Sequence, residues 1–312
     1  MKIAHISDIH LTSFFKKNNL EKTKQLLKYA LRHKFDHMII SGDLTNNADQ
    51  EDFETLRELF RNLGLLHSDR LSLVIGNHDI FGGPQTAEDV FTFPEKCKSV
   101  DYDKKINEFG DYYSEVFENC VYRAKGSYFP YAKILDDNLI TGLNSIARYS
   151  KIKNPFASNG EITLEDFNRL TDILNKYGNK CSRRILIFHH HFHKMKFEKN
   201  NTYKSFWDNI EKQTMKLRKK KRLFQLFKMY NVDLVSHGHI HESKEYYRKG
   251  IRFLNGGGSL IGPVKDELVV NFVNIKHSGI NVEIHKILSD SSVLVEDKIG
   301  ENSLELLAVN EN

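Results

Sequence analysis

Short apolar runs alternate with amphipathic stretches along the first quarter of this chain of 312 residues. Residues 1–7 carry Ile3 and Ile6 in a run that reads as a buried strand; residues 20–34 place Leu20, Leu27 and Leu31 on one side of a helix. A second strand, Met38-Ile39-Ile40, precedes a helix with Phe53, Leu56, Phe60 and Leu63 at three- to four-residue spacing. Residues 71–75 form a third run. Further along, residues 131–134 and 138–143 predict a hairpin, and residues 185–188 and 232–235 two more buried strands. Thr163-Leu164-Glu165-Asp166 predicts a capping box opening a helix with Leu164, Phe167, Leu170, Leu174 and Tyr177 inward. Residues 223–230 predict a further helix, and residues 251–254, 268–275 and 279–287 have β character suited to a second sheet. Strand, loop, helix, strand is an α/β rhythm, in which sites form outside the carboxyl ends of the strands.

Residues 82–130 break that rhythm. Gly82-Gly83-Pro84 marks a turn, and Ile106, Phe109, Tyr113, Val116 and Phe117 predict one helix in an insertion beside the site. Residues 289–312 read as a polar tail, and residues 1–288 as a single catalytic domain, because a division would cut through the motifs that follow.

The apolar runs end on residues of one chemical kind. Asp8-Ile9-His10, Gly42-Asp43, Gly76-Asn77-His78-Asp79, His189-His190 and Gly238-His239-Ile240-His241 each follow a predicted strand. Carboxylate oxygens and neutral imidazole nitrogens hold divalent metals that work on phosphates, and a strand end is a rigid mount for them. Asp8 and His10, two residues apart, would point to one side of an extended backbone, as would His239 and His241. Glycine before Asp43 and before Asn77 permits a tight turn. Asp43 is the natural carboxylate to bridge two cations through its two oxygens. His78 is expected to act on the substrate rather than on metal, with Asp79 fixing its tautomer.

Bulk composition adds limits. Forty per cent hydrophobic residues and five prolines describe a globular protein, and no run reaches the roughly 18 apolar residues of a membrane span. With Asp8 this near Met1, no secretory leader is expected in this sequence. Cys97, Cys120 and Cys181 share no CxxC spacing, so a reducing, cytoplasmic setting is expected. A net charge of +5 suits anionic substrates without specifying nucleic acid.

The motif set, spread over about three quarters of the sequence, resembles the signature of the calcineurin-like metallophosphoesterases, and in particular their bacterial cyclic-nucleotide-phosphodiesterase-like branch. The resemblance implies a four-layer αββα sandwich with two mixed β-sheets flanked by helices. It also implies two divalent metal ions, one held by Asp8, His10, Asp43 and His241 and one by Asp43, Asn77, His189 and His239. Manganese or iron is favoured, and zinc also suits the donor set. The family usually has a single histidine or His-His-Pro where this chain has His189-His190-His191-Phe192-His193. By register His189 is the ligand, with a one-residue slip to His190 as the alternative; His191 and His193 are expected at the rim, and His237 packed in its strand.

The expected reaction is hydrolysis of a phosphodiester or phosphomonoester by a metal-bridging hydroxide, assisted by His78, with a small phosphorylated substrate. One alternative is a DNA or RNA nuclease using the basic run Lys216-Leu217-Arg218-Lys219-Lys220-Lys221-Arg222. Another is a non-catalytic scaffold, which the retained His78 disfavours. Phe192, Phe197, Tyr203, Phe206 and Trp207 could wall a pocket or fill core; Asn144, Ser145 and residues 255–259 fall near the same edge without an assigned role.

Overall fold

The computed structural model describes residues 1–13, 19–84, 86, 88–193 and 215–289. Phe197, Tyr203, Phe206, Trp207 and the expected tail from residue 290 onward lie outside the described residues.

Two mixed sheets face each other. The first joins β1 (Lys2–Ile6), β2 (His37–Ile40), β3 (Leu71–Leu73), β11 (Glu267–Lys276) and β12 (Gly279–Leu288) in the order β12-β11-β1-β2-β3. Strands β1, β2 and β3 are parallel, and β11 runs antiparallel to β1. The second has the order β4-β5-β6-β7-β8-β10-β9. Its members are β4 (Tyr122–Arg123), β5 (Tyr131–Leu135), β6 (Asn138–Gly142), β7 (Arg183–Ile187), β8 (Leu234–His237), β9 (Ser243–Arg248) and β10 (Ile251–Gly256). Its parallel centre is β6-β7-β8-β10.

Side-chain alternation builds the layers. Ile140, Ile185, Ile187, Leu234 and Leu254 join the core shared with the five-stranded sheet, whereas their neighbours Leu139, Leu186, Val235 and Phe253 face the opposite way. On that outer face lie α6 (Leu164–Tyr177) and α7 (Lys220–Met229), through Leu170, Ile173, Leu174, Leu223, Phe224 and Phe227. The first sheet is covered by α1 (Asn19–Arg32) and α2 (Gln50–Asn62), which bury Leu26, Leu27, Ala30, Phe53, Leu56 and Phe60. Helix, sheet, sheet, helix is the expected αββα sandwich.

Thr163 caps α6, its hydroxyl accepting the Asp166 N–H at 3.0 Å, but Leu164 is 62 % exposed rather than inward. Ile173 takes the buried position instead, because a first-turn side chain projects back past the helix start. In residues 82–130 the expected single helix is divided. Helix α5 (Tyr102–Tyr112) stops at Tyr113, and a short 3-10 turn, Ser114–Phe117, follows. Before it come α3 (His78–Phe81) and α4 (Asp89–Ser99).

Lys133 of β5 is only 1 % exposed and donates to the carbonyls of Ser68 and Leu71 at 2.8 and 2.6 Å. Burial pulls its pKa down to about 7. An unfolded lysine titrates near ~10.4, so between these values the unfolded chain holds the extra proton and stability rises with pH. Lys133→Met is expected to flatten that rise between pH ~7 and ~10; equal slopes in urea unfolding of variant and parent would refute it.

Candidate metal centre

All five loops leave the carboxyl ends of strands and meet at one edge of the sandwich: those after β1, β2 and β3 from one sheet, those after β7 and β8 from the other. The backbone reaches this edge by left-handed turns. Asp8 (φ 58°), His10 (φ 48°), Asp43 (φ 51°) and His239 (φ 72°) all have positive φ, a conformation uncommon outside glycine. Asp8/His10 and His239/His241 therefore converge through kinked turns, not through the extended alternation their spacing suggested.

The tighter cluster centres on His189. Its Nε2 lies 3.2 Å from Asp43 Oδ2, 3.1 Å from Asn77 Oδ1 and 3.0 Å from His239 Nδ1. Donor atoms each about 2.0–2.2 Å from one ion stand about 3.0–3.5 Å from each other, which these separations match. The His189 Nδ1–H donates to Ser41 O at 2.9 Å, so Nε2 faces the two oxygens. Either a proton on Nε2 or a cation in its place satisfies that arrangement. Burial disfavours a charge on His189, yet the Asp43 and Asp8 carboxylates push its pKa up to about 9. Burial also opposes ionisation of Asp43, but neighbouring His189 and His78 hold its carboxyl well below the usual range.

A looser second cluster adjoins it. His10 Nε2 is 3.1 Å from His241 Nε2 and 3.9 Å from Asp8 Oδ1, and His241 Nε2 is 3.8 Å from the same oxygen. The Asp8 side chain is fully buried, and burial raises its pKa; the His241 side chain is 42 % exposed and forms the solvent side. Asp43 Oδ2 faces both clusters, 3.7 Å from His10 Nε2 as well as 3.2 Å from His189. Asp43 Oδ1 instead accepts the His78 N–H at 2.9 Å. A bridge would thus use one oxygen, not the two anticipated.

Of the two remaining candidates, Asp79 departs from expectation. His78 stands edge-on to His10, ring centroids 4.6 Å apart, and its Nδ1–H donates to Asn46 O at 3.0 Å. Asp79 does not orient it. Its Oδ1 accepts from Thr45 N at 2.8 Å and its Oδ2 from Gly76 N at 2.9 Å, so this buried carboxylate ties the Asp43 and Asn77 loops together. Burial, reinforced by Asp43, lifts its pKa to about 7. The glycine before Asn77 also serves a different end. A Cβ on Gly76 would lie 2.1 Å from Asp43 Oδ1 and 2.2 Å from Asp43 N, so the position is one of close approach. Gly76→Ala should destabilise the fold by about 1–3 kcal/mol and lose metal from the His189 cluster; an alanine variant with parental unfolding midpoint and metal content would contradict this.

His190 turns away from the centre, with Nε2 on Ser158 O at 3.1 Å. His191 is 1 % exposed, buried where a rim position was expected, and its Nε2–H donates to Met215 O at 2.9 Å. His193 is exposed, His237 is buried against Tyr246 OH at 2.7 Å, and Phe192 belongs to the outer core. The supporting groups invisible in the sequence are chiefly backbone carbonyls, Ser41 O and Asn46 O, which carry no residue-type signal.

A helix-flanked pair of mixed sheets thus gathers at its strand ends carboxylates and imidazoles that could hold a metal ion. The sequence profile of the calcineurin-like phosphoesterases matches residues 1–243, and the chain belongs to that divalent-metal-dependent family. The fold is similar to a dimetal phosphatase from Danio rerio (TM-score 0.57, 10 % identity, 93 % of this chain and 99 % of that one). It is likewise similar to a purple acid phosphatase from yellow lupin (Lupinus luteus) seeds (TM-score 0.56, 14 % identity), covering 93 % of this chain and 52 % of that one. The chain thus spans about half the length of the lupin enzyme. No curated protein matches it. Among the described residues no helix is long and apolar enough to cross a membrane.

Proposed function

We propose that the protein hydrolyses a small phosphodiester or phosphomonoester at a two-metal centre held by Asp8, His10, Asp43 and His241 on one side and Asp43, Asn77, His189 and His239 on the other. The observation that carries this reading is Asp43 Oδ2, which confronts imidazole nitrogens of both clusters at 3.2 and 3.7 Å. Two divalent ions bound there would supply Lewis acidity toward the phosphoryl oxygens and acidify water near neutral pH; manganese or iron fits an N/O donor set lacking thiolate, as does zinc.

The chain's own groups do the rest. Ser41 O fixes the His189 tautomer, and Asp79 keeps two ligand loops in register. His78, its Nδ1–H occupied by Asn46 O, presents Nε2 for proton exchange with the leaving oxygen. A cleft of about 600 Å³, whose lining includes none of the candidate ligands, is bordered by Tyr102, Asn144, Ile146 and Arg148. Asn144 follows β6 level with His189 after β7, given the pairing of Gly142 with Ile187, so the cleft offers room for a leaving group.

The basic run favours a small substrate over nucleic acid because much of it is engaged internally. Arg218 donates to Lys153 O, Lys219 pairs with Glu161, Lys220 donates to His191 O at 3.2 Å, and Arg222 donates to Ile162 O at 3.3 Å. Burial, together with Arg248 and Lys216, lowers the Lys220 pKa to about 8. The test is metal content after chelator-free purification, followed by assay of manganese- or iron-loaded protein against bis(p-nitrophenyl) phosphate, monoesters, cyclic nucleotides and single-stranded DNA. Two bound ions and turnover of small esters are expected. No hydrolysis with any metal, or DNA cleavage that outpaces every small ester, would overturn the reading.

A further inference from the structure

We propose that Ser145 and His190 are positioning residues that hold the His189–His239 cluster in ligating geometry, an inference that rests on the two-metal reading above. Both side chains are fully buried, and their protons can be assigned without a conflict. Ser158 O is a carbonyl and can only accept, so His190 Nε2 carries the hydrogen of their 3.1 Å bond. Nδ1 of the neutral ring is then bare and accepts the Ser145 hydroxyl proton at 3.0 Å. The Ser145 oxygen is left to accept two backbone donors, His189 N–H at 3.3 Å and His190 N–H at 3.1 Å.

This single hydroxyl therefore gathers the turn at which one imidazole is sent into the centre and the next away from it. The ring of His190 also packs on that of His239, centroids 4.4 Å apart, so it backs a second donor of the same cluster. Space for the ring is provided across the loop by Gly160, where a Cβ would fall 2.5 Å from His190 Cγ. The second histidine of the His189-His190-His191 run is thus given a task that no metal contact of its own requires.

The test is a manganese titration of the chelator-stripped full chain by calorimetry, with thermal unfolding in parallel. His241→Ala, which removes a donor from the other cluster, identifies which binding step belongs to which cluster. His190→Phe keeps the volume and removes both hydrogen bonds; Ser145→Ala removes the hydroxyl. Each is expected to weaken the His189-cluster step by about 10–100-fold and to leave the other step unchanged. His190→Asn, whose carbonyl can still accept from Ser145 but which lacks the ring against His239, should fall between parent and His190→Phe, and Ser145→Thr should stay near parental affinity. Unchanged binding in both His190→Phe and Ser145→Ala would overturn the proposal. So would equal weakening of both steps together with a lower Tm, the mark of general loosening, or asparagine and threonine variants as weak as the others. If His190→Phe does not fold, the Ser145 pair decides by itself. A parent chain that takes up no divalent ion would overturn the two-metal reading itself, a result distinct from any variant outcome.

Discussion

Asp43→Asn is expected to lower kcat/KM by about a thousandfold or more while the chain stays folded, because it removes several kcal/mol of charge stabilisation at the reacting phosphoryl group. The geometry makes asparagine the informative choice. Its carbonyl can take over the 2.9 Å bond from His78 N–H that Asp43 Oδ1 now accepts, and asparagine tolerates the φ of 51° found at this position. The amide nitrogen then occupies the place of Oδ2 and points N–H groups at His10 and His189. Neither metal position can be completed by such a group. Metal analysis should fall below two ions per chain, with circular dichroism unchanged. A variant that retained two ions and activity within tenfold of the parent would remove Asp43 from the centre of the scheme.

His78→Ala should behave differently: both metal ions retained, with kcat down by about 10²–10⁴, the usual range for loss of a general acid or base. The side chain stands edge-on to His10, and its donor atom lies within 4.8 Å of those of His10 and Asp43 without belonging to either proposed ligand set. Its backbone N–H, which bonds Asp43, survives the substitution. The loss should also depend on the substrate. Esters with an acidic phenol as leaving group need little protonation and should lose least, whereas alkyl esters should lose most. Equal losses for both kinds would argue that His78 positions the phosphoryl oxygens instead. Full activity in a metal-loaded alanine variant would exclude any catalytic part for it.

Much of the fold was legible because it follows from burial alone. Runs such as Met38-Ile39-Ile40 and residues 185–188 can sit only in a doubly covered sheet, and polar ligand residues directly after them mark a common edge. The weak points have physical causes too. Edge strand β9 (Ser243–Arg248) is half-buried and polar, so its sequence SKEYYR carries no apolar run. Helix α4 contains Pro94, a residue that argues against a helix interior. The identities of the candidate ligands could be read, but not the backbone turns that aim them, since spacing of two residues fits an extended strand as well as a kinked one. Asp79 illustrates the limit most clearly. Adjacency in sequence suggested His78 as its partner, whereas its hydrogen bonds reach Thr45, 34 residues away, a contact set by how two loops pack side by side. His191 shows the same thing in reverse: a polar residue expected at the rim is buried, its ring donating to Met215 O, 24 residues away.

Four of the seven candidate ligands occupy left-handed backbone positions, which restricts what mutation can put there regardless of chemistry. Valine, isoleucine or threonine would clash with their own peptide groups, whereas asparagine, glycine or another small polar residue could be accommodated. A descendant of this chain that gave up hydrolysis and kept the scaffold should therefore drift at 8, 10, 43 and 239 toward asparagine and glycine. Such a pattern would be a trace of geometry outliving the reaction it once served.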